Sequence, residues 1–556
     1  LLALGMGKRA VQIFWFRKSL RLHDNPALGN LLRLTKQECV VPVFLIDPHF
    51  ATEELVGSNR WRFLLESLRD LHCSLKKKNS SLLILKGSPE EVFPQLLSRW
   101  NVTSFAFEFD SEPYALSRDK KIQSLCQQHK TECLVTSGHT LYDLDLLVQK
   151  SNLKEGQYLT SYAAMLKLTD KLGTPDEPVH SPEEFPAFPD DNEFQGLERL
   201  HITADLVKEL DIGEKESEPE LPSLYPDSPY CTDTNAIQSF KESHSYFIGG
   251  ESEALRRLEK YIAQENRVLT FKKPETSPNS LVPSTTTLSP YLKFGCISPR
   301  TVWHEIYRIL QKHKKKNHTE PPVSLIGQLY WREFFYFASY TVPSFDKMQG
   351  NPICRQIDYS YAENEGDKQM YEAWANAKTG FPWIDALMTQ LHQHGWMHHL
   401  GRHAVACFLT RGDLYIHWEL GRDVFDKLLL DSDWALNNAN WMWLSASAFF
   451  HQYHRVYSPI SFGKKTDKNG DFIRHFIPVL KEFPAKYIYE PWNAPEEVQQ
   501  KAGCIIGKDY PAPIVDHNEA RRANLDRMKA AFATSSTVRK RKLEANDEPS
   551  RKRAKK

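Results

Sequence analysis

The sequence predicts two architectures in one chain: an α/β domain with a doubly wound parallel sheet at the N-terminus, then a large all-α domain. Three observations predict this. Short β-prone apolar runs alternate with helical stretches over the first 150 residues, a charged Pro-rich segment then interrupts both patterns, and from about residue 236 the apolar spacing is helical.

The first strand is read at 10–16, Ala-Val-Gln-Ile-Phe-Trp-Phe, ending at Arg17-Lys18. Similar runs follow at Val40 to Ile46, Ser81 to Lys86, Ser104 to Phe107 and Glu132 to Thr136. Between them, Arg60 to Lys76 places Trp61, Leu64, Leu65, Leu68 and Leu71 at helical spacing. Strands alternating with helices imply a parallel, doubly wound sheet over 9–150. No G-x-G-x-x-G follows the first strand, which argues against an ordinary nicotinamide dinucleotide site. Residues 151–235 are expected to link the domains. Within them, 174–222 hold seven prolines and fifteen acidic against three basic residues, a net −12 that favours an exposed segment, with Phe185, Phe188 and Phe194 as candidate anchors. The helical domain is expected over 236–515, and 516–556 form a C-terminal extension.

The formal charge of the 556 residues is +1, but it is unevenly spread. Residues 539–556 hold nine Lys/Arg against three Asp/Glu, a net +6, so the chain outside this tail and the acidic segment carries +7. The tail's two basic clusters, Arg539 to Lys542 and Arg551 to Lys556, resemble a bipartite nuclear localisation signal, which predicts a nuclear protein read by the import machinery. With 41% apolar and 25% charged residues and no apolar run near 18, neither a membrane span nor a disordered chain is expected. The opening Leu-Leu-Ala-Leu is too short for a secretory h-region. Nine scattered cysteines without a C-x-x-C pair point to a reducing compartment.

The chemistry-bearing residues concentrate in the second half. Ten of thirteen tryptophans lie between Trp303 and Trp492. A dense core explains many of them, but Asn440-Trp441-Met442-Trp443 stands beside the small residues Ser445-Ala446-Ser447-Ala448. Residues two apart on a helix differ by about 200°, so Trp441 and Trp443 face nearly opposite ways. Six histidines fall within 26 residues: His392, His394, His398, His399, His403 and His417. His399 and His403 are spaced i,i+4, like a metal pair, yet Glu is missing from the second position that a zinc-protease motif needs, so no metal is expected. Two imidazoles on one face suit proton donation near neutral pH. Thr285-Thr286-Thr287-Leu288-Ser289-Pro290 opens a helix with hydroxyls and free amides, which suit a phosphate.

Together these strings resemble the photolyases and cryptochromes. Phe14-Trp15-Phe16-Arg17-Lys18-Ser19-Leu20-Arg21-Leu22-His23-Asp24-Asn25-Pro26-Ala27-Leu28 is similar to the family's opening signature. Thr285 to Gly295, Gln328 to Phe334, Gly395 to Ala404 and Asp431 to Phe450 are similar to its flavin-domain blocks, in the same order, and the resemblance covers about 10–510. The string His398-His399-Leu400-Gly401-Arg402-His403 is similar to the animal-type branch, which holds (6-4) photolyases and animal cryptochromes.

The resemblance implies a photolyase-like fold, an antenna-type α/β domain and an all-α FAD-binding domain, with FAD as cofactor. Thr285, Thr286, Thr287, Leu288 and Ser289 would meet the pyrophosphate and ribityl region, with Gln328, Trp331 and Arg332 along the cavity. Asp431, Ser432 and Asp433 would approach the isoalloxazine, Arg402 would pair with Asp431, Asn437 would lie near flavin N5, and His399 would also meet the cofactor. The family also binds an antenna chromophore, 8-hydroxy-5-deazaflavin or folate, between its domains, although several members leave that site empty.

The implied activity is blue-light repair of (6-4) photoproducts in UV-damaged DNA, with His399 and His403 moving the proton. Lys273, Gln328, Trp331, Trp443 and Tyr457 would surround the flipped base, with Arg455 at the duplex break. Light-driven reduction would run through Trp441 and Trp418. Tyr359 stands where relatives have tryptophan at the third station, Tyr361 is an alternative alignment, and Tyr415 is the outer station. The alternative is a cryptochrome, a flavin photoreceptor meeting clock or transcription proteins, or a protein that does both. A monomer is expected in either case.

Overall fold

The runs read as strands pair into one sheet. Strands β1 (Ala10–Phe16), β2 (Cys39–Ile46), β3 (Leu83–Lys86), β4 (Asn101–Glu108) and β5 (Glu132–Thr136) are parallel neighbours in the order β3-β2-β1-β4-β5. Helices α1 (Pro26–Leu34), α2 (Ser58–Lys76), α3 (Pro89–Arg99) and α4 (Pro113–Gln128) make the crossovers. This is the doubly wound arrangement, its strand order reversing between β1 and β4. The computed structural model describes residues 10–34, 39–52, 55–189, 191–194, 196–197, 199–200, 246–281, 283 and 285–534.

Alternation along β1 assigns its side chains to two cores. Val11, Ile13 and Trp15 pack with Phe93, Leu96 and Ile122 on one face. Phe14 and Phe16 face the other way, into a core that continues through Tyr291, Phe334 and Trp418 to Met528. The sheet and the helical domain therefore share apolar burial.

The segment expected to be an exposed linker is in part a packed one. Ala187 accepts a backbone hydrogen bond from Val40 at 3.2 Å. Phe185 is buried, and Phe194 stacks on Phe188 at 5.3 Å and meets Trp100 edge-on at 5.6 Å. Arg199 and Leu200 form β6, antiparallel on the free edge of β3. Three aromatic anchors and backbone pairing thus outweigh the composition that favoured solvent. Residues 201–222, which carry much of the acidic charge, and both basic clusters of the tail lie outside the described residues.

Beyond the linker the described elements are helical. Those nearest the site are α5 (Glu251–Ile262), α6 (Ser289–Phe294), α7 (Leu325–Thr341), α8 (His399–Cys407), α9 (Trp418–Leu428) and α10 (Trp434–Leu444). Among the described residues no helix is long and apolar enough to cross a membrane.

The loop after β1 latches the two domains together. The Leu22 and His23 amides each donate to the Glu251 carboxylate at 2.8 Å. Arg21 is fully buried and donates to the carbonyls of Gly295, Gly138 and Asp24 and to Glu108. Asp24 holds Arg300 through two bonds of 2.7 and 3.0 Å and accepts from the Ser298 hydroxyl. Gly295, at φ +66°, comes so close that a Cβ there would run into the Lys18 carbonyl. The opening signature therefore positions the helical domain.

Candidate flavin and lesion site

The hydroxyl run forms a turn entering α6. Thr287 takes a left-handed φ of 55°, and its hydroxyl accepts from Arg257 Nη1 at 3.0 Å. Thr287 and Leu288 are buried, Thr285 and Thr286 half-buried, and Ser289 exposed. Arg257 brings a cation to the turn. Sequence reading missed it, because it lies a helix away with only an Arg-Arg doublet to mark it.

On α7, Gln328, Trp331 and Arg332 follow a Ser324 cap. Gln328 Nε2 donates to the Pro322 carbonyl at 2.8 Å, while its buried Oε1 has no hydrogen-bond partner among the described residues. Trp331 stacks on Tyr162 at 4.2 Å and stands perpendicular to Trp443 at 5.1 Å. Arg332 is buried, with Nη1 3.6 Å from Glu333, and neither Nη1 nor Nη2 has a hydrogen-bond acceptor among the described residues.

Helix α8 begins at His398, whose Nδ1 accepts from the Leu400 amide while its Nε2 donates to Thr276 at 2.9 Å. That cap was not legible in the histidine doublet. One turn apart, His399 and His403 lie 6.0 Å between ring centres, and His403 Nδ1 is 3.1 Å from the Tyr457 hydroxyl. Arg402 binds Asp431 in a fork of 3.0 and 2.9 Å. Among the described residues no group of three or more His, Cys, Asp or Glu could hold a metal ion.

Burial and neighbouring cations keep this chamber's histidines neutral. Burial first, then Lys273, pushes His399 far below its usual value and His403 down to about 3. Burial with Arg402 takes His398 to about 4 and the Lys273 amine to about 8. An incoming anion would relieve this crowding of Lys273, Arg402 and Arg411.

Helix α10 is capped by Asp433, whose Oδ1 accepts from the Ala435 and Leu436 amides at 3.1 and 3.2 Å. Its Oδ2 accepts from the Tyr336 hydroxyl, and His139 Nε2 lies 2.7 Å from that hydroxyl. Ser432 donates to Asp426 at 2.6 Å. Both residues therefore support the scaffold, whatever they offer a ring. Asn437 donates to the Arg422 carbonyl at 3.1 Å.

Trp441 and Trp418 are buried, and each indole N–H lacks an acceptor among the described residues. The tip of Trp441 abuts Gly421, one turn beyond Trp418 on α9, where any Cβ would collide with it. Tyr359 lies 4.7 Å from Tyr415, and Tyr361 stacks on His417 instead. Tyr415 donates to Asp358 at 3.0 Å. Arg455 is exposed, while the buried Arg411 fixes its segment by bonds to the carbonyls of Leu444, Tyr453 and Arg455.

Residues 12–183 match the family described as DNA photolyase, and 325–530 match the FAD binding domain of DNA photolyase. Over 540 residues the chain is 46% identical to Cryptochrome-1 of Erithacus rubecula, an alignment covering 96% of this chain and 80% of that protein. The chain belongs to the photolyase/cryptochrome family, in its animal-like branch. Cryptochrome-2 of Gallus gallus is 44% identical over 531 residues, covering 95% of this chain and 84% of its own. Among solved structures, a class III photolyase from Agrobacterium tumefaciens superposes with a TM-score of 0.72 at 28% identity, covering 96% of this chain and 99% of the other.

FAD is the cofactor of this photolyase/cryptochrome chain. The residues fit it: the orphaned guanidinium nitrogens of Arg332 and the Gln328 oxygen call for a polar guest, and Arg257 with the Thr285–Thr287 turn suits a pyrophosphate.

The depressed histidines also set an acid-side cost. The unfolded chain takes up protons near pH 6.5 that His403 refuses until about pH 3, so its contribution is intact above 6.5 and is lost as pH falls. Glu333 and Asp385, raised by burial to about 7 and about 6, act in the opposite sense, so only a difference between variants isolates the histidine. His403→Asn is expected to recover up to about 2 kcal/mol relative to the parent between pH 6.5 and pH 5, read from urea unfolding at both values.

Proposed function

We propose that this protein uses blue light to repair (6-4) pyrimidine–pyrimidone photoproducts in nuclear DNA. The observation that carries the reading is the cluster of His399, His403 and Tyr457 beside Lys273. FAD, once bound and reduced, supplies an electron under blue light. The side chains do the rest. Trp331 and Trp443, set at right angles, offer a corner on which a flipped base stacks, and Gln328 Oε1 can accept from its edge. Arg455 lies exposed where the duplex would open, and Lys273 would stand beside the flipped base. His399 donates the proton that lesion rearrangement needs, with His403 and Tyr457 holding its partner in place. The Arg402–Asp431 fork and the Asp433 cap hold α8 and α10 in register.

The test is a repair assay on DNA bearing a (6-4) photoproduct, with a cyclobutane dimer run in parallel. Loss of the (6-4) lesion that requires light supports the reading, and its absence from the reduced protein sinks it. The relatives named Cryptochrome-1 and Cryptochrome-2 favour a second reading, a flavin photoreceptor acting on clock or transcription proteins, and no repair is the outcome it requires.

In either reading Tyr415 and Tyr359 pass electrons inward through Trp418 and Trp441 toward the flavin, so that the oxidised site moves outward. Oxidised tyrosine must shed its proton. Tyr359 donates to the Ser445 carbonyl, a poor base, whereas Tyr415 faces the Asp358 carboxylate. A Tyr359→Phe, Tyr415→Phe double variant is expected to shorten the protein-radical signal in transient absorption. Decay identical to the parent would remove both tyrosines from the relay. The basic tail is assigned to nuclear import: deleting 539–556 should reduce nuclear accumulation, seen by fluorescence microscopy, and leave repair by the purified protein intact.

A further inference from the structure

A single parallel bridge, Ser360 to Ile416, sorts the two tyrosines that flank Ser360. Ser360 donates to the Tyr415 carbonyl at 3.1 Å and accepts from the His417 amide at 2.7 Å, which pins 359–361 along 415–417. Side chains two apart along such a segment lie on one side of it, so each tyrosine meets its own neighbour across the bridge, Tyr359 at Tyr415 and Tyr361 at His417. Tyr359 is buried against Tyr415, while Tyr361 sits at the outer end of the pair with 46% of its surface exposed. The exposed ring lies flat on His417, 4.0 Å between centres and 14° between planes. His417 is fully buried, meets Tyr359 edge-on at 6.2 Å, and stacks on Trp418, 5.8 Å away at 27°. Three rings thus form a near-parallel stack from a buried relay tryptophan to water.

We propose that Tyr361 is a second, solvent-facing terminus of the relay, joined to Trp418 through the ring of His417; this rests on the reading that Trp418 and Trp441 carry electrons inward to the flavin. In the step, the Trp418 radical cation takes one electron from Tyr361. Tyr361 loses its hydroxyl proton to water and becomes a neutral radical. A small thiol then returns one electron and one proton, restoring the phenol and leaving a thiyl radical. His417 takes up no proton: its Nδ1 accepts from the Glu419 amide, capping α9, and its Nε2 is buried with no partner among the described residues. The chain accordingly has two exits, one buried at Tyr415 beside Asp358 and one at the surface where a soluble reductant can reach.

The test is illumination of the FAD-loaded protein with a nitrone spin trap, followed by mapping of adducts by peptide mass spectrometry. The expected result is an adduct on Tyr361, lost in Tyr361→Phe and lost again in His417→Asn, whose side-chain oxygen still caps α9. Tyrosine adducts that persist in Trp418→Phe would overturn the relay itself. Adducts that require Trp418 but appear only on Tyr415 in the parent would overturn the second exit and leave the relay standing. A Tyr361 adduct undiminished in His417→Asn would overturn the bridging role of the imidazole.

Discussion

His399→Ala is expected to lower single-turnover repair of a (6-4) photoproduct by roughly 10²–10⁴-fold, the usual contribution of a positioned acid. The side chain lies on the first turn of α8, where the buried His398 caps the helix and Arg402 is tied to Asp431, so its removal leaves the scaffold standing. Flavin absorbance should therefore match the parent. The pH dependence provides a second readout. Without DNA, burial and Lys273 hold the imidazole far below its usual value. A phosphate-bearing ligand adds negative charge and raises it. Repair should then fall as pH rises through the value His399 has in the DNA complex, and His399 should titrate higher with lesion DNA than without it, measured by NMR. A variant repairing as fast as the parent would remove His399 from the chemistry.

Asp24→Asn is expected to cost about 3–5 kcal/mol, because it strips one partner from a buried ion pair and keeps the other. Arg300 is almost wholly enclosed, and Asp24 meets it with both oxygens while also accepting from Ser298 and from the Val179 amide. Asparagine keeps the shape and tolerates the left-handed φ of 40° at this position, so the loss reports the charge. The readout is the urea midpoint of the FAD-free protein. An unchanged midpoint would mean that the latch contributes nothing to holding the domains together.

That latch shows where sequence reading stops. The string around Asp24 was recognisable as a signature, but its partner Arg300 stands 276 residues away and nothing local in either segment points to the other. The strands were legible because each is a short β-prone run whose pattern is written in its own residues. Ser81 to Lys86 was read a little long, since only Leu83–Lys86 pairs with β2. The Arg402–Asp431 fork was expected from resemblance, and the two side chains do meet. The choice between Tyr359 and Tyr361 could not be made from the chain, because a tertiary bridge at Ser360 lays the segment along 415–417, where Tyr359 is enclosed beside Tyr415 and Tyr361 is left half-exposed on His417. Arg257 and His398 were missed for the same reason: their roles are set by what folds against them, Thr287 and Thr276. The packed part of the linker was misjudged because charge and proline content say little about three phenylalanines finding a sheet.

The two-residue strand β6 has a further consequence, for self-association. Leu83, Ile84 and Leu85 of β3 are buried apolar residues on a strand whose outer edge would otherwise present open amides and carbonyls. Such an edge is a template for a strand from another copy. By laying Arg199 and Leu200 along it, the chain spends part of its connector on blocking aggregation. The connector thus acts as a guard, and a cut between Phe194 and Arg199 would free an edge able to recruit a second molecule.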